Sequence, residues 1–205
     1  ENQEKGPYHI IGWSFGGLLA TLITKRLEEK GDRVSFLGLI DSHATIDKDS
    51  HWASASLSLL MGIVKPEALD YFSDRDNTEK KNLISQAREQ PSPGEQLKFF
   101  FDWGQRNNFI SKDVRIEPLY EECEVIHRHI DAMSQFEFPV INANVHSWWA
   151  SDSLCHEAFP VDWSLITKGA HSSSVIKGTH FSIMKPPMVE TISNELQSIV
   201  NNLSK

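Results

Sequence analysis

Cysteine is nearly absent from this sequence: Cys123 and Cys155 are the only two in 205 residues. They lie far apart and fit no metal-ligand spacing, which sets aside a zinc module and a disulfide framework. Both are expected to be free thiols used for packing, in a reducing, cytoplasmic compartment. No run of 18 apolar residues occurs, so no transmembrane helix is expected. The opening Glu1-Asn2-Gln3-Glu4-Lys5 lacks the basic-then-apolar layout of a signal peptide. Basic residues are outnumbered, 20 Lys and Arg against 28 Asp and Glu, for a net charge of −8. That balance argues against a nucleic-acid partner. Internal repeats and low-complexity tracts are also missing. What remains is ordinary globular composition, 40% hydrophobic and 23% charged, at a length that suits one domain.

The first 42 residues carry the clearest pattern. Tyr8 to Gly12 is a short apolar run expected to form a buried strand. Phe15, Leu18, Leu19, Leu22, Ile23 and Leu27 then recur at helical spacing, which predicts one buried helix face. Gly31 sits where a helix C-cap is expected. Val34 to Ile40 reads as a second buried strand running into Asp41-Ser42. Strand, helix, strand implies a βαβ unit and a parallel sheet, hence an α/β fold. Residues 44–137 look different. Their apolar clusters, at Leu57 to Val64, Leu97 to Trp103 and Leu119 to Met133, are helical in spacing. Charged or proline-bearing connectors, Asp74 to Lys81 and Gln90 to Gly94, separate them, so a helical insertion is expected. Strand character returns from Phe138 to Val145, ending at Trp148-Trp149, and again at Ser173 to Ile176. A final amphipathic helix carries Val189, Ile192, Leu196, Ile199 and Leu203 on one face.

The chemistry concentrates at Gly12-Trp13-Ser14-Phe15-Gly16, a G-x-S-x-G pattern between the first strand and the first helix. A serine hydroxyl is a poor nucleophile and must be held out of the strand toward a base. A sharp strand-to-helix turn does this but crowds the backbone, and glycines two before and two after the serine are expected to relieve the crowding. The same turn aims the backbone amide of Phe15 at a developing oxyanion, at a helix N-terminus whose dipole favours negative charge. Asp41 ends the neighbouring strand, where an acid can fix the tautomer of a histidine. Of nine histidines, His180 follows the last expected strand and precedes the final helix, so it is the candidate base. His127 and His129 are expected on a helix surface, His171 in a polar loop, and His43 too close to Asp41 in sequence to be its partner. The Trp103 and Trp148 indoles and Phe99, Phe100 and Phe101 could line an acyl pocket, with core packing the better-supported role.

Together Gly12-Trp13-Ser14-Phe15-Gly16-Gly17, Leu39-Ile40-Asp41-Ser42 and Gly178-Thr179-His180-Phe181-Ser182-Ile183-Met184 resemble the thioesterase domains that end nonribosomal peptide and polyketide synthases. The spacing of Ser14 and Asp41 resembles that family too, and residues 44–137 resemble its lid in position. The resemblance implies an α/β-hydrolase fold, mostly parallel, with flanking helices and a helical lid. It implies a Ser14, Asp41, His180 triad with Phe15 in the oxyanion hole, and Asp152 as the fallback acid. It implies no bound cofactor or metal. The substrate would arrive as a thioester on the phosphopantetheine of an acyl or peptidyl carrier domain, from upstream synthase modules. Release would be by hydrolysis or cyclisation.

The family has further strands before the elbow, and here the elbow strand starts about seven residues into the chain. The expectation is the C-terminal part of a larger domain, lacking the loop that donates the second oxyanion amide. These residues alone are then expected to be weakly active or inactive, or to self-associate. A stand-alone editing thioesterase, a carboxylesterase, and a noncatalytic carrier-docking or scaffold fragment are the competing readings.

Overall fold

The computed structural model describes residues 3, 5–43, 56–57, 59–60, 63–65, 78–154 and 162–203. The chain forms two compact units, residues 1–45 with 136–205, and residues 46–135.

The first unit is an α/β layer structure. Four strands, β1 (Tyr8–Trp13), β2 (Val34–Ile40), β3 (Asn144–Ala150) and β4 (His171–Ile176), pair in that order, every pair parallel. Helix α1 (Phe15–Glu29) follows β1, and the closing helix (Met188–Leu203) follows β4. All seven residues of β2 are buried, as expected of a central parallel strand covered on both faces. Their alternation feeds two cores. Leu37 and Leu39 pack with Ala20 of α1, Val145 and Trp149; Phe36 and Ile40 pack with Trp148, Ile176 and Ile192 of the closing helix. The adjacent Trp148 and Trp149 thus serve opposite faces of the sheet, and both are core residues.

Helix α1 buries a different face from the expected one. Leu18 is fully buried, but Leu19, Leu22 and Ile23 are 44%, 42% and 52% exposed. The packed stripe is Gly17, Leu18, Ala20, Thr21 and Thr24. Small side chains win because the helix lies very close to the sheet. A Cβ at Gly12 would strike the carbonyl oxygen of Gly16 and come within 2.6 Å of the Gly17 Cα; one at Gly17 would strike the Ser42 hydroxyl. Among the described residues, a Cβ at Gly16 meets nothing within 4 Å. The crowding expected around the serine is therefore relieved by Gly12 and Gly17, and the second glycine of the motif faces open space. Gly17→Ala is expected to cost about 1–3 kcal/mol through overpacking. Gly16→Ala, in the first turn of α1, should be neutral or gain up to about 1 kcal/mol. Denaturant unfolding of the two variants checks the pair; equal losses would contradict this packing.

Gly31 ends α1 at φ +85, with its amide donating to the Glu28 carbonyl, the left-handed C-terminal position that glycine favours. The strand expected from Phe138 is shorter than the sequence suggests. Pro139 has no amide proton, and the Asn142 and Ala143 amides donate to the Glu28 carboxylate at 2.9 Å instead of to a ladder. Regular pairing begins at Asn144, after one isolated bridge from Ile141 to Thr167. His171, expected in a loop, opens β4. At the far side, Glu195 of the closing helix accepts the Trp148 indole N–H at 2.8 Å. The side chain of Leu203 lies outside the described residues.

The second unit contains α2 (Thr78–Arg88), α3 (Pro93–Arg106) and α4 (Glu117–Ser134). Ser92 caps α3, accepting the Glu95 amide, with Pro93 in the first turn. Its core includes Leu97, Phe100, Phe101, Ile110 and Cys123. Residues 78–81, expected as connector, open α2, while residues 74–77 lie outside the described residues. Of Leu57 to Val64, residues 58, 61 and 62 also lie outside them, and Leu57 and Leu60 are buried in this core. His127 is not a surface residue. It is buried, and its ring lies 3.4 Å from the Ser56 hydroxyl and 3.4 Å from the Cys123 sulfur. Burial raises the Cys123 thiol above its ordinary value. Cys155 lies outside the described residues. Among the described residues no helix is long and apolar enough to cross a membrane.

Candidate active site

Ser14, Asp41 and His180 each follow the carboxyl end of a strand. The Ser14 amide donates to the Ile40 carbonyl at 2.9 Å, extending the β1–β2 ladder one residue past β1. The chain then turns sharply, with Ser14 at φ 54 and ψ −128. A side-chain-bearing residue in this region costs about 1–3 kcal/mol, so the sequence holds a strained serine at the mouth of the sheet. Phe15 is the first residue of α1, its amide at the positive end of the helix. One strand over, the Asp41 amide donates to the Trp148 carbonyl at 2.7 Å, and Asp41 also takes a left-handed backbone, φ 47.

The Asp41 carboxylate is buried and surrounded by donors. His180 Nδ1 donates to Oδ2 at 2.7 Å, and the Ser153 hydroxyl donates to the same oxygen at 2.6 Å. The Ala150 amide donates to Oδ1 at 2.9 Å. His43 Nε2 stands 3.6 Å from Oδ1, too long for a good hydrogen bond. Burial pushes the carboxyl of Asp41 up, but the partners His180, His43, Ser153 and the Ala150 amide more than reverse that and hold it well below the usual carboxylate range. An ionised acid here fixes the Nδ1–H tautomer of His180 and leaves Nε2 free to take a proton.

His180 is held in a tight loop. The Ser182 amide donates to the Thr179 hydroxyl, and the Thr179 amide donates to the Ser182 hydroxyl, at 3.1 and 2.8 Å. Ser151 ties the loop to the end of β3: its hydroxyl accepts the Gly178 amide at 3.1 Å. The imidazole stacks on Trp13, ring centroids 5.1 Å apart and planes 27° from parallel. Among the described residues no hydrogen bond joins the Ser14 hydroxyl to His180. Such bonds are often long without substrate and tighten in the complex.

Asp152, the fallback acid, occupies the short helix after β3. Its carboxylate accepts the Ser151 hydroxyl at 3.1 Å and its amide donates to the Gly178 carbonyl, while the Nδ1 of His180 is on Asp41. Sequence reasoning missed Ser153, the Ala150 amide, His43 and Trp13. His43 carried a signal, since it lies two residues from Asp41 and was set aside for that nearness. Trp13 carried one too, as a motif residue beside Ser14. Ser153 and Ala150 carried none, because they lie over a hundred residues away in the chain. Among the described residues no group of three or more His, Cys, Asp or Glu side chains is arranged to hold a metal ion.

A strained serine ending one parallel strand, an aspartate ending the next and a histidine after the last, in that chain order, define the α/β-hydrolase class. Within it, the chain belongs to the thioesterase domain family, which residues 1–196 match. Its relatives include an inactive atromentin synthetase, invA6, of Paxillus involutus. That protein is 42% identical over 71 residues, 33% of this chain and 8% of its own length. The atromentin synthetase of Tapinella panuoides is 25% identical over 193 residues, 90% of this chain and 19% of its own length. The chain therefore spans a small part of these curated relatives. In structure it is similar to the thioesterase domain SrfTE, described as cyclising the lipopeptide surfactin. The TM-score is 0.53 at 16% identity, covering 97% of this chain and 70% of that one.

Proposed function

We propose that this chain is a thioesterase acting on an acyl or peptidyl thioester, through an acyl-enzyme on Ser14. The observation that carries the proposal is the short His180–Asp41 hydrogen bond beside a strained Ser14, in a member of the thioesterase domain family. Ser14 Oγ attacks the thioester carbonyl carbon while His180 Nε2 takes its proton, and the oxyanion that forms accepts a hydrogen bond from the Phe15 amide. Collapse expels the thiolate, which takes the proton from His180 and leaves as a thiol. Water, or a nucleophile within the acyl chain, then gives its proton to His180 and attacks the ester carbonyl; collapse expels Ser14 Oγ, which takes the proton back from His180 and is restored as the hydroxyl. The first route hydrolyses the chain and the second cyclises it.

Relatives that span most of this chain include a synthetase and a polyketide synthase, which supports an acyl or peptidyl carrier domain as partner and upstream synthase modules as the source of substrate. The phosphopantetheine belongs to the carrier and is the leaving group, so the reading requires no cofactor bound to this chain. One relative's name, an inactive synthetase, favours a second reading, a fold that docks carriers without turnover. The test compares an N-acetylcysteamine thioester with the oxygen ester of the same acyl chain. Faster release from the thioester is expected. Preference for the oxygen ester would make the chain a carboxylesterase, and no turnover of either by folded protein favours the docking reading.

A further inference from the structure

We infer that Trp13 is a positioning residue for the reaction: its indole face sets the plane of the His180 imidazole and favours the imidazolium that forms during each turnover. The inference rests on the reading of His180 as the base.

Four observations carry it. The rings of Trp13 and His180 stack at 5.1 Å and 27°, within the distance over which a cation is attracted to an aromatic face. Phe181 closes the arrangement from the side, edge-on to both rings, at 6.3 Å from Trp13 and 5.3 Å from His180. The imidazole is thereby fixed by Asp41 at Nδ1 and by an aromatic face, although its side chain is 29% exposed. Trp13 is itself packed, partly buried, against the core cluster that includes Ile40, Trp148, Ile183 and Ile192. Finally, the indole Nε1 of Trp13 is buried and, among the described residues, has no hydrogen-bond partner. A buried, unsatisfied N–H is destabilising, so indole is a poor choice for packing alone. A large π face turned to the base is what tryptophan supplies and an aliphatic residue does not.

The contact has an unusual kinetic signature. Removing it should free the base at lower pH, yet slow the step in which imidazolium forms. A residue that only fills space would slow the reaction without moving the pH dependence in that direction.

The experiment titrates the Cε1–H resonance of His180, assigned by its loss in His180→Gln, in wild type, Trp13→Met and Trp13→Phe. The same proteins are assayed for the rate at which a fluorophosphonate captures Ser14. In Trp13→Met the titration midpoint should fall by about half a pH unit, a roughly two- to fivefold lower proton affinity, and the plateau capture rate should fall as well. Trp13→Phe, which keeps a π face and loses the orphaned N–H, should recover most of both. An unchanged midpoint in folded Trp13→Met overturns the inference, as does Trp13→Phe behaving like Trp13→Met. If Trp13→Met does not fold, Trp13→Phe decides alone: a small fall in midpoint with a near-wild-type plateau supports the assignment, and a lost plateau at an unchanged midpoint overturns it. If wild type captures no fluorophosphonate while the midpoints move as stated, the contact with His180 stands and the Ser14 reading fails.

Discussion

Asp41→Asn is expected to lower kcat for thioester release about ten-thousandfold, the loss seen when a triad acid becomes an amide. The geometry explains why so small a change costs so much. Oδ1 of Asp41 accepts the Ala150 amide, so an asparagine keeps its oxygen there and turns its NH2 toward Ser153 and His180. An N–H donor then faces the Nδ1 of His180, the ring is driven to the opposite tautomer, and Nε2 carries a proton when it should accept one. Asp152→Asn should change kcat only a few-fold, because Asp152 is engaged with Ser151 and the Gly178 loop rather than with Nδ1 of His180. Kinetics on the two variants, with circular dichroism to show that both fold, checks the contrast. The reverse ranking would move the acid role to Asp152.

Ser14→Ala should lower turnover about a millionfold, leaving only what binding and the oxyanion donor supply. Ser14→Gly adds a second readout. The backbone at φ 54 and ψ −128 is strained for serine and relaxed for glycine. That variant should lose activity as completely while gaining about 1 kcal/mol of stability. An inactive protein with a raised Tm would show that the fold stores strain at position 14 in order to present the hydroxyl. A Ser14→Gly protein less stable than wild type would contradict the strain.

Much of this arrangement is legible in the sequence, for physical reasons that also mark where legibility stops. Buried parallel strands are continuous apolar runs, so Val34 to Ile40 stands out. A nucleophile at a strand-to-helix turn needs close backbone approach, so its glycines show. Helix α1 reads less well because it has two apolar stripes, and periodicity cannot tell which one meets the sheet. Close packing selects Gly17, Ala20, Thr21 and Thr24 and leaves Leu19, Leu22 and Ile23 outside. The segment from Phe138 has strand composition, but Pro139 and the distant Glu28 carboxylate remove its ladder partners. His127 shows the same limit: helical spacing assigned it to a surface, and its neighbours Ser56 and Cys123 enclose it. The donors to Asp41 from Ala150 and Ser153 depend on β3 lying beside β2, a pairing between segments more than a hundred residues apart.

The most direct test of the account is the site at which the folded chain is acylated. Treated with a fluorophosphonate and mapped by peptide mass spectrometry, it should carry one adduct, on Ser14. That adduct should vanish in Ser14→Ala and form far more slowly in His180→Gln. Labelling at another residue, or none in protein shown to be folded, would contradict Ser14 as the nucleophile.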